Sequence, residues 1–175
     1  MSGIDESRPF LPVHIAIVTV SDTRTEEDDR SGATLVKLAT AAGHEVVAKR
    51  IVADERPHIE AVLREFIADA NVDVVISTGG TGVTGRDVTP EAFRAVYEKE
   101  IEGFGELFRS QSLQQIGIST IQSRATGGVA GETYLFALPG SPGACKDGWN
   151  GILVHQLDNR YRPCNFVELM PRLKE

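Results

Sequence analysis

Asp73-Val74-Val75-Ile76-Ser77-Thr78-Gly79-Gly80-Thr81-Gly82-Val83-Thr84-Gly85-Arg86-Asp87-Val88-Thr89-Pro90 is the stretch on which the fold turns. It opens as a short, almost wholly apolar run, the pattern of a strand buried on both faces. It closes on Thr89-Pro90, where Thr89 as N-cap and Pro90 at the first helical position predict a helix start. Between them lie Gly79, Gly80, Gly82 and Gly85, interleaved with the hydroxyls of Thr78, Thr81 and Thr84. Without Cβ atoms the glycines let backbone N–H groups turn toward an anion, and the positive end of the next helix adds to the attraction.

The same alternation extends to both sides. Toward the N-terminus, Val13–Val20 is a β-branched run that ends in Ser21-Asp22-Thr23. A helix then follows Ser31 through Leu35, Leu38, Ala39 and Ala42 and stops at Gly43. Glu45–Val52 reads as a second strand, and Ile59, Val62, Leu63, Phe66, Ile67 and Ala70 trace one helical face. Toward the C-terminus, Phe104, Leu107, Phe108 and Leu113 predict a helix over 102–115. Residues 116–132 show no strong period, and Gly127, Gly128 and Gly131 suggest a hairpin turn. Thr133–Leu138 is a further strand; after Pro139-Gly140, Ser141-Pro142 opens a helix carrying Trp149, Ile152, Leu153 and Leu157. Strands that alternate with helices require crossovers, so the expected architecture is a three-layer α/β/α domain with a mostly parallel sheet. The chain reads as one domain over 1–175, with a lead-in over 1–12 and an irregular tail over 160–175 that is expected to pack on a neighbour.

In 175 residues, 18 basic and 25 acidic side chains give a net charge of −7. That excludes a broadly basic nucleic-acid footprint, so an anionic ligand must be met locally. No apolar run approaches the roughly 18–20 residues of a membrane span, and the opening residues lack a secretory pattern, so the expected location is the cytoplasm. Cys145 and Cys164 are expected to be free thiols. His14, His44, His58 and His155 have no metal-ligand spacing and are expected to be structural or exposed.

Ligands of parallel sheets bind beyond the carboxyl ends of the strands, which singles out four loops. The first, Ser77–Thr89, is neither a Walker A loop nor a GxGxxG fingerprint. It reads either as a phosphate cradle or as a tight β-to-α turn. Arg86 could pair with phosphate oxygens and Asp87 could hold a divalent metal; the plain alternative is a surface ion pair or a helix-terminal acid. The second loop, Ala53–Pro57, places Asp54 and Glu55 either as helix caps or, if they converge with the glycine loop, as part of a Mg²⁺ site. Pro139–Gly143 exposes backbone and carries Ser141 at a helix start, and Ser21-Asp22-Thr23 ends the first strand in hydroxyls and a carboxylate. An ordinary cap and strand-end polarity explain these two equally well. Read from the residues alone, the chain is a nucleotide- or phosphate-binding α/β protein.

Thr78–Pro90 resembles the signature loop of the MoaB/MogA family of molybdenum cofactor biosynthesis proteins. Val20-Ser21-Asp22, Gly103-Phe104-Gly105-Glu106, Ser123-Arg124 and Leu138–Pro142 stand in that family's order, so the resemblance spans nearly the whole chain. Glu26–Asp29 and Arg162–Phe166 resemble the MoaB branch. The resemblance implies a Rossmann-like α/β/α fold and the Mg²⁺-dependent adenylylation of molybdopterin by ATP, which gives adenylyl-molybdopterin and pyrophosphate. It implies catalytic and Mg²⁺-binding roles for Asp54 and Asp87. It also implies substrate or phosphate contacts from Ser21, Asp22, Thr78, Gly79, Gly80, Thr81, Gly82, Arg86, Ser110, Ser112, Gly140, Ser141 and Pro142. A homotrimer or a hexamer of two trimers is implied too, working alongside molybdopterin synthase and a metal-insertion protein, with no nucleic-acid or membrane partner. Two rivals stand beside this reading. One is a non-catalytic molybdopterin- or nucleotide-binding scaffold, whose binding would survive loss of Asp87. The other is a nucleotide-pyrophosphatase-like hydrolase that acts without pterin.

Overall fold

The computed structural model describes residues 2–175. In chain order the elements are β1 (Gly3–Ile4), β2 (His14–Val20), α1 (Arg30–Ala41), β3 (Glu45–Val52), α2 (Arg56–Ala68), β4 (Val74–Thr78), α3 (Thr89–Val96), β5 (Lys99–Glu100) and α4 (Glu102–Ile116). A 3₁₀ segment over Gly117–Gln122 leads to β6 (Thr126–Ala130), β7 (Thr133–Leu138) and α5 (Pro142–Gly148). A π-helical turn, Trp149–Leu153, runs into α6 (Val154–Gln156), followed by β8 (Tyr161–Arg162), α7 (Phe166–Leu169) and a 3₁₀ turn at Met170–Arg172.

Six strands form the main sheet in the order β3-β2-β4-β7-β6-β5. β2 pairs in parallel with β3 and β4, and β4 with β7; β6 runs antiparallel to both β7 and β5. Successive strand residues face opposite sides, which divides the core in two. Ile15, Ile17, Val74, Ile76, Phe136 and Leu138 pack with Leu35 and Ala39 of α1, Phe104 and Phe108 of α4, and Trp149. Ala16, Val18, Val75, Leu135 and Ala137 pack with Ile59, Leu63 and Phe66 of α2 and Phe93 of α3. Each large side chain so buried contributes about 1.5–3 kcal/mol, so both helical layers are fixed by the strands' own period. The expected three-layer, mostly parallel class therefore holds. β3 and β4 lie on opposite sides of β2, so the connections leaving β2 and β4 diverge and open a crevice at their carboxyl ends.

Several local expectations change. Thr89 is not the N-cap of α3: Val88 holds that position, and the Thr89 hydroxyl donates to the Gly79 carbonyl at 2.9 Å. Helix α1 begins one residue before Ser31, capped by Asp29, whose carboxylate accepts the Gly32 amide at 2.9 Å. Neither Asp54 nor Glu55 caps α2, since Glu55 occupies the cap position without a side-chain bond. Of the three glycines read as a hairpin turn, only Gly131, at φ +57, lies in the turn; Gly127 and Gly128 lie within β6 against the rings of Phe136 and Tyr97.

The lead-in and the tail are ordered against each other. Gly3 and Ile4 pair with Arg162 and Tyr161, and Arg8 reaches Glu168 at 2.5 Å. Buried Asn165 accepts the Glu168 amide and donates to the carbonyls of Asn159 and Tyr161, capping α7. Phe166 then rests on Tyr134 and Phe136. The tail expected to be irregular is thus held by its own chain. No local pattern announces this, because the strand partners lie 157 and 159 residues apart in the chain. Both cysteines are free, Cys145 buried and Cys164 exposed. Buried His44 accepts the Val13 amide, and burial holds its pKa down. No helix among the described residues is long and apolar enough to cross a membrane.

Candidate functional site

Backbone contacts at the carboxyl ends of β2, β4 and β7 draw their loops together. Gly79, at φ +105, donates its amide to the Leu138 carbonyl at 3.0 Å, and a Cβ there would fall 2.2 Å from the Val20 carbonyl oxygen. Gly80, at φ +67, would place a Cβ 2.3 Å from the Thr89 hydroxyl. Only glycine fits at both positions. The Thr78 hydroxyl donates to the Pro139 carbonyl and the Ser31 hydroxyl to that of Gly140, each at 2.9 Å. A Cβ on Gly140 would lie 3.2 Å from Gly79 Cα, so these two loops meet backbone to backbone.

Three carboxylates gather beside this junction. Asp22 accepts the Asp54 amide at 2.9 Å with Oδ1 and Arg86 Nη2 at 2.5 Å with Oδ2. The bond from Arg86, then that from Asp54, holds its pKa below the ordinary value. Arg86 therefore pairs with Asp22 rather than Asp87, and ties the glycine loop to the end of β2. Asp87 Oδ2 accepts the Thr84 amide at 2.9 Å and its hydroxyl at 2.6 Å. Burial pushes the Asp87 pKa up, but these bonds, the Gly82 amide and the charge of Arg124 outweigh it, and the net shift is downward. Asp54 differs: burial raises its pKa, and the charges of Asp22 and Asp87 raise it further against weaker opposition from Arg86 and the Val88 amide. Asp54 Oδ1 is buried with no hydrogen-bond partner and lies 3.0 Å from where a Gly80 Cβ would stand.

A partnerless buried carboxylate oxygen, in the field of two further carboxylates, is a position that a cation would stabilise. No cluster of three or more His, Cys, Asp or Glu side chains able to hold a metal exists among the described residues. That donor set is too small for a closed zinc or calcium cage. It fits Mg²⁺, which commonly takes one or two carboxylates and completes its shell with phosphate oxygens and water.

On the other side of the glycine loop opens a cleft of about 490 Å³. Gly80, Thr81, Gly82 and Asp87 line one wall, Gly140 and Ser141 another, and Ser112 of α4 a third. Ser141 also caps α5 by accepting the Ala144 amide. Ser21, Thr78 and Gly79 line a separate depression of about 70 Å³ that shares Gly140 with the cleft. Asp22, Asp54 and Arg86 line neither cavity; the two carboxylates, with Asp87 at the cleft's edge, form the acidic cluster behind Gly80, and Arg86 pairs with Asp22. Ser110 is exposed on α4, and neither it nor Pro142 lines the cleft. The structure also places residues that sequence reading passed over: Phe108, Ser119, Gln122 and Asp147 line the cleft, and Asp29 lines the depression. Asp29 belongs to the charged stretch Glu26–Arg30, and its side chain is 1% exposed, 2.8 Å from Lys49 and bonded to Thr19 at 2.7 Å. Nothing in the spacing of Glu26–Arg30 distinguishes it from its neighbours.

Residues 16–159 match the family described as a probable molybdopterin binding domain. Over 169 residues the chain is 51% identical to molybdenum cofactor biosynthesis protein B of Escherichia coli (strain K12), covering 97% of this chain and 98% of that one. A crystal structure of a molybdenum cofactor biosynthesis protein B aligns with a TM-score of 0.86 at 41% identity, over 95% of this chain and 98% of the other. That of the tungsten cofactor synthesizing protein MoaB from Pyrococcus furiosus aligns with a TM-score of 0.76 at 32% identity, over 94% and 98%.

Proposed function

The chain belongs to the molybdopterin-binding family of molybdenum cofactor biosynthesis proteins, and on that premise we propose that it transfers AMP from ATP to the terminal phosphate of molybdopterin. The observation that carries this reading is the pairing of a glycine-lined cleft with the acidic cluster immediately behind Gly80. A terminal phosphate oxygen of molybdopterin attacks the α-phosphorus of ATP, the bond to the bridging oxygen breaks, and pyrophosphate leaves. The nucleophile is already an anion, so no general base is required, in keeping with a cleft lined by no histidine.

What must be supplied is positioning and charge compensation, because a chain of net charge −7 otherwise repels two polyanions. Mg²⁺, when bound, offsets the charge that develops on the leaving pyrophosphate. Asp54 and Asp87 would hold it. The amides of the Gly79–Gly82 loop and the α3 start would orient phosphate oxygens, and Ser112 and Ser141 offer hydroxyls to the polar edges of the ligands. Arg86, 60% exposed, engages Asp22 through Nη2, which leaves its other N–H groups for phosphate oxygens.

The chain would assemble as a trimer or a pair of trimers. Leu113, Ile116, Ile118 and Ile121 support this: all are at least half exposed, and all lie within nine consecutive residues. Its setting would be the cytoplasm, downstream of molybdopterin synthase and upstream of metal insertion. The test is a discontinuous assay of adenylyl-molybdopterin formed from molybdopterin, ATP and Mg²⁺. The parent chain is expected to form product, and Asp87→Asn to lose at least about two orders of magnitude, as expected when charge compensation in a transition state is removed. Binding of molybdopterin without product in either chain would overturn the enzyme in favour of a scaffold. Hydrolysis of ATP without pterin would favour the hydrolase.

A further inference from the structure

Arg124 touches neither cavity, yet it makes more bonds to the glycine loop than any residue outside it. Its backbone amide donates to the Thr81 carbonyl at 3.0 Å. Its guanidinium donates to the Gly82 carbonyl through Nε and to the Asp87 carbonyl through Nη2, each at 2.6 Å, while Nη1 pairs with Glu91 in the first turn of α3. In a trans peptide the N–H points opposite to the C=O of the same plane. Drawing in the carbonyls of Thr81, Gly82 and Asp87 therefore turns the amides of Gly82, Val83 and Val88 the other way. Both carboxylates lie against this loop: a Cβ on Gly82 would fall 2.7 Å from Asp87 Oδ2, and one on Gly80 3.0 Å from Asp54 Oδ1.

We propose that Arg124 is a positioning residue that, by gripping three loop carbonyls from behind, fixes the glycine loop between the candidate metal-binding carboxylates Asp87 and Asp54. Its planar fork is the reason for arginine here, since two divergent carbonyls and a carboxylate are held from one rigid group. Its charge also favours the ionised form of Asp87. A lysine would keep the charge and lose the fork.

The inference rests on the proposed use of Asp54 and Asp87, and the experiment separates the two. Parent, Arg124→Lys and Arg124→Gln are compared by the adenylyl-molybdopterin assay across pH and by NMR titration of the Asp87 carboxyl carbon, with thermal melts as the folding control. For Arg124→Lys we expect kcat to fall about 10- to 100-fold, the scale of a small misplacement of catalytic groups, with Asp87 titrating close to the parent. For Arg124→Gln we expect the same loss in kcat, with the Asp87 titration and the acid limb of the rate profile moved to higher pH. A folded variant with the parent's kcat would overturn the inference. If the parent forms no adenylyl-molybdopterin, the proposed reaction fails and the loop itself decides: amide resonances of Gly82, Val83 and Val88 unmoved in both folded variants overturn the positioning role. Should Arg124→Gln not fold, the kcat of Arg124→Lys decides in its place.

Discussion

Asp54 and Asp87 are both carboxylates on loops of one site, and their surroundings drive them apart. Asp87 is held ionised by Thr84, Gly82 and Arg124, whereas burial and two like charges disfavour the ionised Asp54. The linkage signs are opposite. With its folded pKa depressed, Asp87 contributes stability above its unfolded pKa, and this is lost as pH falls through the folded value. With its folded pKa raised, Asp54 contributes stability below its unfolded pKa, and this is lost as pH rises through the folded value. At neutral pH, therefore, ionised Asp54 weakens the fold. Asp54→Asn is expected to raise Tm at pH 7 while abolishing adenylyl transfer, a combination that a simple capping role would not give. Mg²⁺ at ten times its Kd should stabilise the parent by about 1.4 kcal/mol, or roughly 3–6 °C in a melting scan, and should leave Asp54→Asn unmoved.

Among the elements, α7 is the smallest that the fold depends on, because one side chain organises it. Asn165 is 2% exposed and bonds to the Glu168 amide and to the carbonyls of Asn159 and Tyr161. Truncation leaves several buried polar groups without partners at about 1–3 kcal/mol each before relaxation. Asn165→Ala should lower the urea midpoint by an amount equivalent to about 2–4 kcal/mol, adding the lost cap, with the denaturant slope unchanged. The site lies at the opposite end of the dependence chain. Asn165 lines neither the cleft nor the depression and bonds only to Asn159, Tyr161 and Glu168, so activity per folded molecule should be retained.

At the scale of the whole molecule, one segment serves two surfaces. The 3₁₀ run after α4 lines the cleft with Ser119 and Gln122 and presents Ile118 and Ile121, 78% and 75% exposed, to the outside. In an assembly these isoleucines would be covered, and the cleft wall would be braced by the neighbouring copy. Sedimentation of the parent should show a trimer or larger, and the pair Ile118→Lys and Ile121→Lys should shift the population to monomer, with KM rising as the wall loosens. A parent that sediments as a monomer would remove the assembly.

The layered fold was legible in the sequence because it rests on local periodicity. The runs Val13–Val20, Val74–Thr78 and Thr133–Leu138 can be buried only between helical layers, and the α2 face declares its own period. The glycine loop was legible because the two positions that forbid a Cβ are written as glycine. The cap of α3, the pairing of β1 with β8, the partner of Arg86 and the burial of Asp29 were not, since each depends on which distant group arrives. Thr89 reads as a cap until the Gly79 carbonyl takes its hydroxyl, and nothing beside Ser123-Arg124 in the chain tells that three carbonyls converge on Arg124. Side-chain type and spacing thus determined the layers and the kind of site, while contacts between residues far apart in the chain decided which carboxylate is held ionised, which is left without a partner, and what holds the loop between them.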